Sequence, residues 1–117
     1  MNKQASIIDF QRYRHKQLPH VFFNRTELQK IMNVYGGMVS AGIWRDYAFH
    51  EVGNKVGFAV FQRTTDRADY LIFKESNKVS QQGAYSILGR EGQVIKRGHD
   101  LEALLKFFNT KRMKLVP

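Results

Sequence analysis

Residues 82–108 constrain the fold more than any other part of the chain, because strand, turn and helix signals follow one another there without a gap. Residues 84–88 alternate and are β-prone, and residues 93–97 follow as a second strand after the turn sequence GREG. Asp100 stands where a helix N-cap is expected, and leucine and phenylalanine then recur at helical spacing over residues 101–108. The segment predicts an antiparallel strand pair followed by an amphipathic helix.

An earlier amphipathic helix is predicted over residues 28–39, where apolar side chains are spaced by three and four residues. Asn24 and Glu27 match the capping-box pattern at its start, and Gly42 suits a left-handed cap at its end. The pair Gly36-Gly37 lies inside the helix and predicts either a bend there or, as the preferred interpretation, the close packing of a strand or second helix. This helix opens the folded part of the chain.

Three further strands are predicted between this helix and residue 82. Tyr47–Val52 and Val56–Gln62 flank the two-residue turn Gly53-Asn54, and Asp69–Lys74 follows a polar turn. The second of these strands is apolar on both faces, as in a strand that is covered twice, or covered once and used at an interface. Short turns between consecutive strands make the sheet antiparallel. The predicted fold class is α+β: a five-stranded antiparallel sheet with two helices packed mainly on one face, in the order α-β-β-β-β-β-α.

The length of 117 residues suits one domain. We predict a flexible basic N-terminal arm over residues 1–19, a single α+β domain over residues 20–112 and a C-terminal tail over residues 113–117. No apolar run approaches the roughly 20 residues that span a bilayer, and the N-terminus lacks the apolar core of a signal peptide. The absence of cysteine excludes disulfides and thiolate metal sites. These features predict a cytoplasmic protein without a membrane partner.

The formal net charge of +9 is the main functional signal of the composition. A surplus of that size attracts polyanions such as nucleic acids, although it carries no sequence specificity. The predicted polyanion contacts are Arg12, Arg14, Lys16, Arg45, Arg63, Lys96, Arg97 and His99. Tyr47, Tyr70 and Tyr85 are the predicted stacking residues, because exposed aromatic rings beside cations on a sheet can stack on the bases of a single strand. The alternative interpretation is that the aromatic side chains are simply core.

Two local patterns near the second helix could carry chemistry. A histidine beside a carboxylate, as in His99-Asp100, can act as a general base, but no motif supplies a nucleophile, and a turn residue followed by a helix cap explains the pair more simply. The sequence KRGH before a helix N-terminus could hold phosphate, but Asp100 would occupy the same amides. The histidine spacings match no metal site. The sequence therefore predicts no catalytic residue, no cofactor and no metal, and hence a protein that is not an enzyme.

Five blocks of the sequence resemble a known family. The blocks are FNRTEL at 23–28, VYGGMV at 34–39, AGIWRDY at 41–47, QGAYS at 82–86 and KRGHDL at 96–101. Through them the region of residues 21–108 is similar to a family of small alphaproteobacterial proteins, the domain of unknown function 2794; the N-terminal arm lies outside this region. The resemblance implies a bacterial, cytoplasmic, single-domain protein, and it implies no activity, cofactor or site residue.

Two functional hypotheses follow. The first is a non-enzymatic accessory protein that binds polyanions, with nucleic acid as the partner. The alternative is a protein–protein interaction module, either a homodimer or a subunit of a hetero-complex, without a nucleic-acid role. The alternative arises because the second apolar face of the strands could be an interface. Salt-sensitive binding of nucleic acid distinguishes the two hypotheses.

Overall fold

The computed structural model describes residues 21–63, 67–75 and 84–115, with side chains as far as residue 110. The elements are α1 (Arg25–Ser40), β1 (Asp46–Val52), β2 (Lys55–Phe61), β3 (Tyr70–Glu75), β4 (Tyr85–Leu88), β5 (Val94–Gly98) and α2 (Leu101–Leu115). The predicted fold class is confirmed, since the described residues form two helices and one five-stranded antiparallel sheet in the chain order α-β-β-β-β-β-α. Helix α2 extends into the segment that was predicted as a tail. The predicted arm, with Arg12, Arg14 and Lys16, lies outside the described residues.

Helix α1 begins and ends where its capping residues predict. The side chain of Asn24 accepts a hydrogen bond from the backbone N–H of Glu27 at 2.8 Å, and the side chain of Glu27 accepts one from the backbone N–H of Asn24 at 2.7 Å. At the other end Gly42 has a φ of 77°, and the N–H of Ile43 donates to the carbonyl of Met38 as in a Schellman motif. These caps fix the point at which the chain leaves the helix for the sheet.

The glycine pair within α1 does not mark the predicted close approach at its first position. A Cβ added at Gly36 would meet no atom within 4 Å. Helix α1 is continuous through this position to Ser40. The prediction of close packing is therefore wrong at Gly36, where glycine only lowers the helix propensity.

The sheet has its strands in sequence order, so β1 and β5 are its edges. One row of directly paired residues crosses four strands: Phe49, Phe58, Ile72 and Ile87. Directly paired residues of antiparallel strands project from the same face. Both helices complete a core on this face with the buried side chains of Ile31, Met38, Leu101, Leu104, Leu105 and Phe108. We call this side of the sheet the helix face.

Strand β2 is buried along its five central residues, Val56 to Val60. It lies second from the edge of the sheet. The sequence of β2 predicted either that both of its faces are covered or that one face is covered and the other is an interface. Within the described ranges, helices lie on one face only, and no helix or strand packs on the other. Neither described helix is long and apolar enough to cross a lipid bilayer.

Candidate functional site

The face of the sheet opposite the helices has two neighbouring rows of paired residues. One row consists of Ala48, Ala59, Leu71, Leu88 and Val94, and the other of His50, Gly57, Phe73, Ser86 and Arg97. We call these residues the open face. Leu71, Phe73 and Leu88 are half-buried, and Val94 is 49% exposed. The open face therefore offers accessible apolar surface without a covering element from the described part of the chain.

Phe73 lies at the centre of the second row, on the middle strand β3. Its ring lies over Gly57, where an added Cβ would approach a ring carbon to 2.7 Å. The ammonium group of Lys55 lies 5.4 Å from the centroid of the same ring, within range of a cation–π contact. Because a side chain at position 57 would displace the ring, glycine is required for this close approach. The sheet thus holds an aromatic ring against β2 with a cation beside it.

The second row ends in a basic side chain at each edge of the sheet, His50 on β1 and Arg97 on β5. Both are exposed, and neither side chain has an ion-pair or hydrogen-bond partner among the described residues. Four strand spacings of about 4.8 Å separate the two edges by about 19 Å. The row therefore has an aromatic centre and two basic ends.

The predicted polyanion contacts within the described ranges form two separate groups. Arg45 and Arg63 lie beside the same ends of β1 and β2, where the backbone N–H of Arg45 donates to the last carbonyl of β2 at 2.8 Å. Lys96, Arg97 and His99 lie on or directly after β5, at the opposite edge. All five side chains are exposed. By its register, Arg97 is the member of this set that belongs to the open face.

The three predicted stacking tyrosines lie on the helix face. Tyr47 and Tyr70 both pair with Val60, whose side chain is in the core. Tyr47 is 39% exposed at the edge of the sheet, whereas the ring of Tyr70 packs edge-on against aromatic rings of α2 at 5.2 and 5.8 Å. The hydroxyl of Tyr85 donates to Glu27. Tyr47 is thus the exposed member of the three.

Phe73 and Lys55 are not among the site residues predicted from the sequence. Strand β3 is apolar on both of its faces, so the alternation of side chains does not tell which face receives the helices. The available signal was Gly57, because a glycine in the interior of a strand often marks the close approach of another group. Combined with the pairing register, that glycine identifies Phe73 as the ring that lies over it.

A separate polar cluster joins α1 to the sheet through Glu27, Lys74 and Tyr85. Lys74 Nζ lies 2.7 Å from Glu27 Oε1 and 3.1 Å from the carbonyl of Phe22. Burial alone would raise the pKa of Glu27, but hydrogen bonds from Lys74, Tyr85 and a backbone N–H outweigh burial and lower this pKa. Burial, and then the hydrogen bond to Glu27, raise the pKa of Tyr85. Because its partners come from the protein itself, the cluster is structural.

Asp100 acts as the N-cap of α2, as the sequence predicts. Its Oδ1 accepts hydrogen bonds from the backbone N–H groups of Glu102 at 3.1 Å and Ala103 at 3.4 Å. The carboxylate therefore occupies the amides that a phosphate would need at this helix start. In the described part of the chain, no three histidine, aspartate or glutamate side chains are grouped as metal ligands would be.

Comparison with curated proteins and with solved structures finds no match for this chain. A family model does match, and its description is "Protein of unknown function (DUF2794)". The match runs over residues 21–105, from the residues before α1, through all five strands, into the first part of α2. The resemblance in the five sequence blocks is therefore confirmed. The chain belongs to the DUF2794 family of proteins of unknown function.

Proposed function

We propose that the protein is a non-enzymatic accessory protein that binds single-stranded nucleic acid across the open face. The observation that carries this proposal is the row in which Phe73 lies between His50 and Arg97. Aromatic rings on a sheet stack on unpaired bases, and flanking cations contact the phosphates. The row presents the imidazole of His50, the ring of Phe73 and the guanidinium of Arg97 in a line across the sheet. One extended nucleic-acid strand would meet these groups in succession.

Lys55 adds a cation next to the stacking ring. Its ammonium group lies 5.4 Å from the centroid of Phe73 and contacts the ring in the free protein. A base that stacks on Phe73 would replace this cation–π contact and leave the ammonium group free to pair with a phosphate. The net charge of +9 supports the same partner, because it raises the rate of encounter with a polyanion.

Fluorescence anisotropy of a labelled oligothymidylate tests the proposal with a matched pair of variants. Arg97→Gln removes a charge from the open face, and Arg25→Gln removes an equal charge from the exposed start of α1. We expect wild-type binding to weaken as salt is added. We expect Arg97→Gln to weaken binding further and to reduce the magnitude of the salt slope by about 0.7, the value for one phosphate contact on a single strand. Arg25→Gln should bind as the wild type does.

Two results would contradict this site. The first is the absence of any anisotropy change at low salt. The second is an equal loss of affinity in Arg97→Gln and Arg25→Gln, because only the net charge would then matter.

The apolar row of the open face favours a second candidate function, a protein–protein interaction module. An apolar row crosses all five strands, with a register shift at Leu88 where β4 pairs with β5, and it consists of Ala48, Ala59, Leu71, Leu88 and Val94. An apolar surface of this kind can be covered by a second copy of the chain. Light scattering that gives twice the monomer mass, together with no oligonucleotide binding, would favour this candidate over the first.

A further inference from the structure

A cavity of about 470 Å³ opens between the C-terminal end of α1, helix α2 and one end of the sheet. Its apolar lining consists of Met38, Ile43, Trp44, Tyr70, Ile95 and Phe107. Its volume falls within the range of about 300–1,000 Å³ that is usual for small-molecule sites, which are mostly apolar with a few polar groups. The cavity lies on the helix side of the sheet, apart from the open face.

Trp44 supplies a polar atom, the indole nitrogen, that has no hydrogen-bond partner among the described residues. The residue is 2% exposed, and its indole N–H makes no hydrogen bond within the described residues. No fully buried side-chain nitrogen or oxygen in this part of the chain lacks a partner. The indole nitrogen therefore keeps some contact with solvent, and Trp44 is one of the residues that line the cavity. A ligand with a hydrogen-bond acceptor would satisfy this donor.

The polar lining of the cavity includes Asp69, Arg90 and Gln93. Asp69 already accepts a hydrogen bond from the backbone N–H of Gln62 at 2.6 Å. Arg90 lies 3.9 Å from Asp69, at the limit of an ion pair, and its guanidinium makes no hydrogen bond among the described residues. Gln93 uses its side-chain oxygen to accept from the N–H of Glu91 at 2.9 Å. The ligand that complements these groups carries an acceptor, and a carboxylate matches the fork of a guanidinium.

We propose that this cavity binds a small planar aromatic acid. The aromatic body lies among Trp44, Tyr70 and Phe107, and the carboxylate lies at the mouth near Arg90. Stacking and edge contacts with these rings favour a flat aromatic molecule over an aliphatic one. This site is independent of the nucleic-acid proposal, since none of its lining residues belongs to the open face.

The single tryptophan gives the test a direct readout. The protein has one indole N–H signal in a proton–nitrogen correlation spectrum, and that signal reports on the cavity. We would titrate 2-naphthoate as the aromatic acid and 2-naphthylmethanol as its neutral analogue. We expect both probes to shift the indole signal saturably. Arg90→Gln should weaken the binding of 2-naphthoate by about tenfold, the effect of one charge-assisted contact. The same variant should leave the binding of 2-naphthylmethanol unchanged.

Arg67→Gln is the matched control. Arg67 is exposed, lies at the same end of the sheet and forms an ion pair with Glu91 at 3.3 Å. It does not line the cavity. We expect this variant to bind both probes as the wild type does. The proposal is overturned if neither probe moves the Trp44 signal, if the alcohol binds as tightly as the acid, or if Arg67→Gln weakens the acid as much as Arg90→Gln does.

Discussion

At the scale of single residues, Glu27 links the local structure of α1 to the tertiary structure. Its side chain accepts from the backbone N–H of Asn24 in the capping box, from Lys74 on β3 and from Tyr85 on β4. Lys74 and Tyr85 lie 47 and 58 residues away along the chain. One carboxylate thus fixes the start of the helix and its position on the sheet. Removing a partner would leave a buried polar group unsatisfied.

Replacing Tyr85 by Phe tests this link, because it keeps the ring and removes the hydroxyl that donates to Glu27. We expect the free energy of unfolding to fall by about 1–2 kcal/mol, the usual cost of a partly exposed hydrogen bond to a charged group. Tyr47→Phe, on an exposed tyrosine of the same face, should change it by less than about 0.5 kcal/mol. Urea unfolding at neutral pH measures both variants, and equal losses would contradict the link.

The same pair of side chains makes stability depend on pH at both extremes. The pKa of Glu27 is lowered from 4.5 in the folded protein, so its contribution is present above that value and is lost as the pH falls through the folded pKa. The pKa of Tyr85 is raised from 10.0, so its contribution is present below that value and is lost as the pH rises above it. We expect Tyr85→Phe to remove the part of the decrease in stability at alkaline pH that is due to ionisation of Tyr85. An unchanged alkaline limb in unfolding curves measured against pH would contradict the assignment.

At the scale of elements, the ends of the helices could be predicted from sequence, because caps depend on residues within one turn. Asn24, Glu27 and Asp100 occupy the predicted positions and make the expected hydrogen bonds. Gly42 adopts the predicted left-handed conformation. The role of Gly36 could not be predicted, because the same glycine signal fits either close packing or a plain loss of helix propensity.

Two glycine substitutions in and after α1 should have opposite effects on stability. Gly36→Ala places a methyl group where no atom lies within 4 Å, so we expect stabilisation of about 0.5–1 kcal/mol. Gly42→Ala forces alanine into a φ of 77°, so we expect destabilisation of about 1 kcal/mol. Chemical unfolding of both variants gives the two values. The same sign for both would show that the helix and its cap are misassigned.

The bounds of the strands were also predicted to within a residue or two. Which face of each strand packs against the helices was not predicted. The turn glycines and short apolar runs locate each strand. Which face of β3 is covered depends on pairing with β2 and β4, and both faces of this strand carry large apolar side chains. From the sequence, Tyr70 was predicted to be exposed, and Phe73 was not. The register assigns Tyr70 to the helix face and Phe73 to the open face.

At the scale of the whole molecule, the sheet separates two kinds of surface. The helix face is filled by one core to which both helices contribute. The open face combines an apolar row with a row that has basic ends. The charge of +9 could be read from the sequence, but the distribution of the cations over two edges required the fold. We propose that the open face binds single-stranded nucleic acid, and that the surplus positive charge elsewhere on the protein does not.

Mapping backbone amide shifts during titration with an oligothymidylate tests that claim most directly. We expect the largest shifts on the row from His50 through Phe73 to Arg97, and no shifts on α1 or on the indole N–H of Trp44. Shifts on this row would be expected to diminish as salt is added, because phosphate contacts carry part of the affinity. Shifts confined to the helices, or no shifts at low salt, would contradict it.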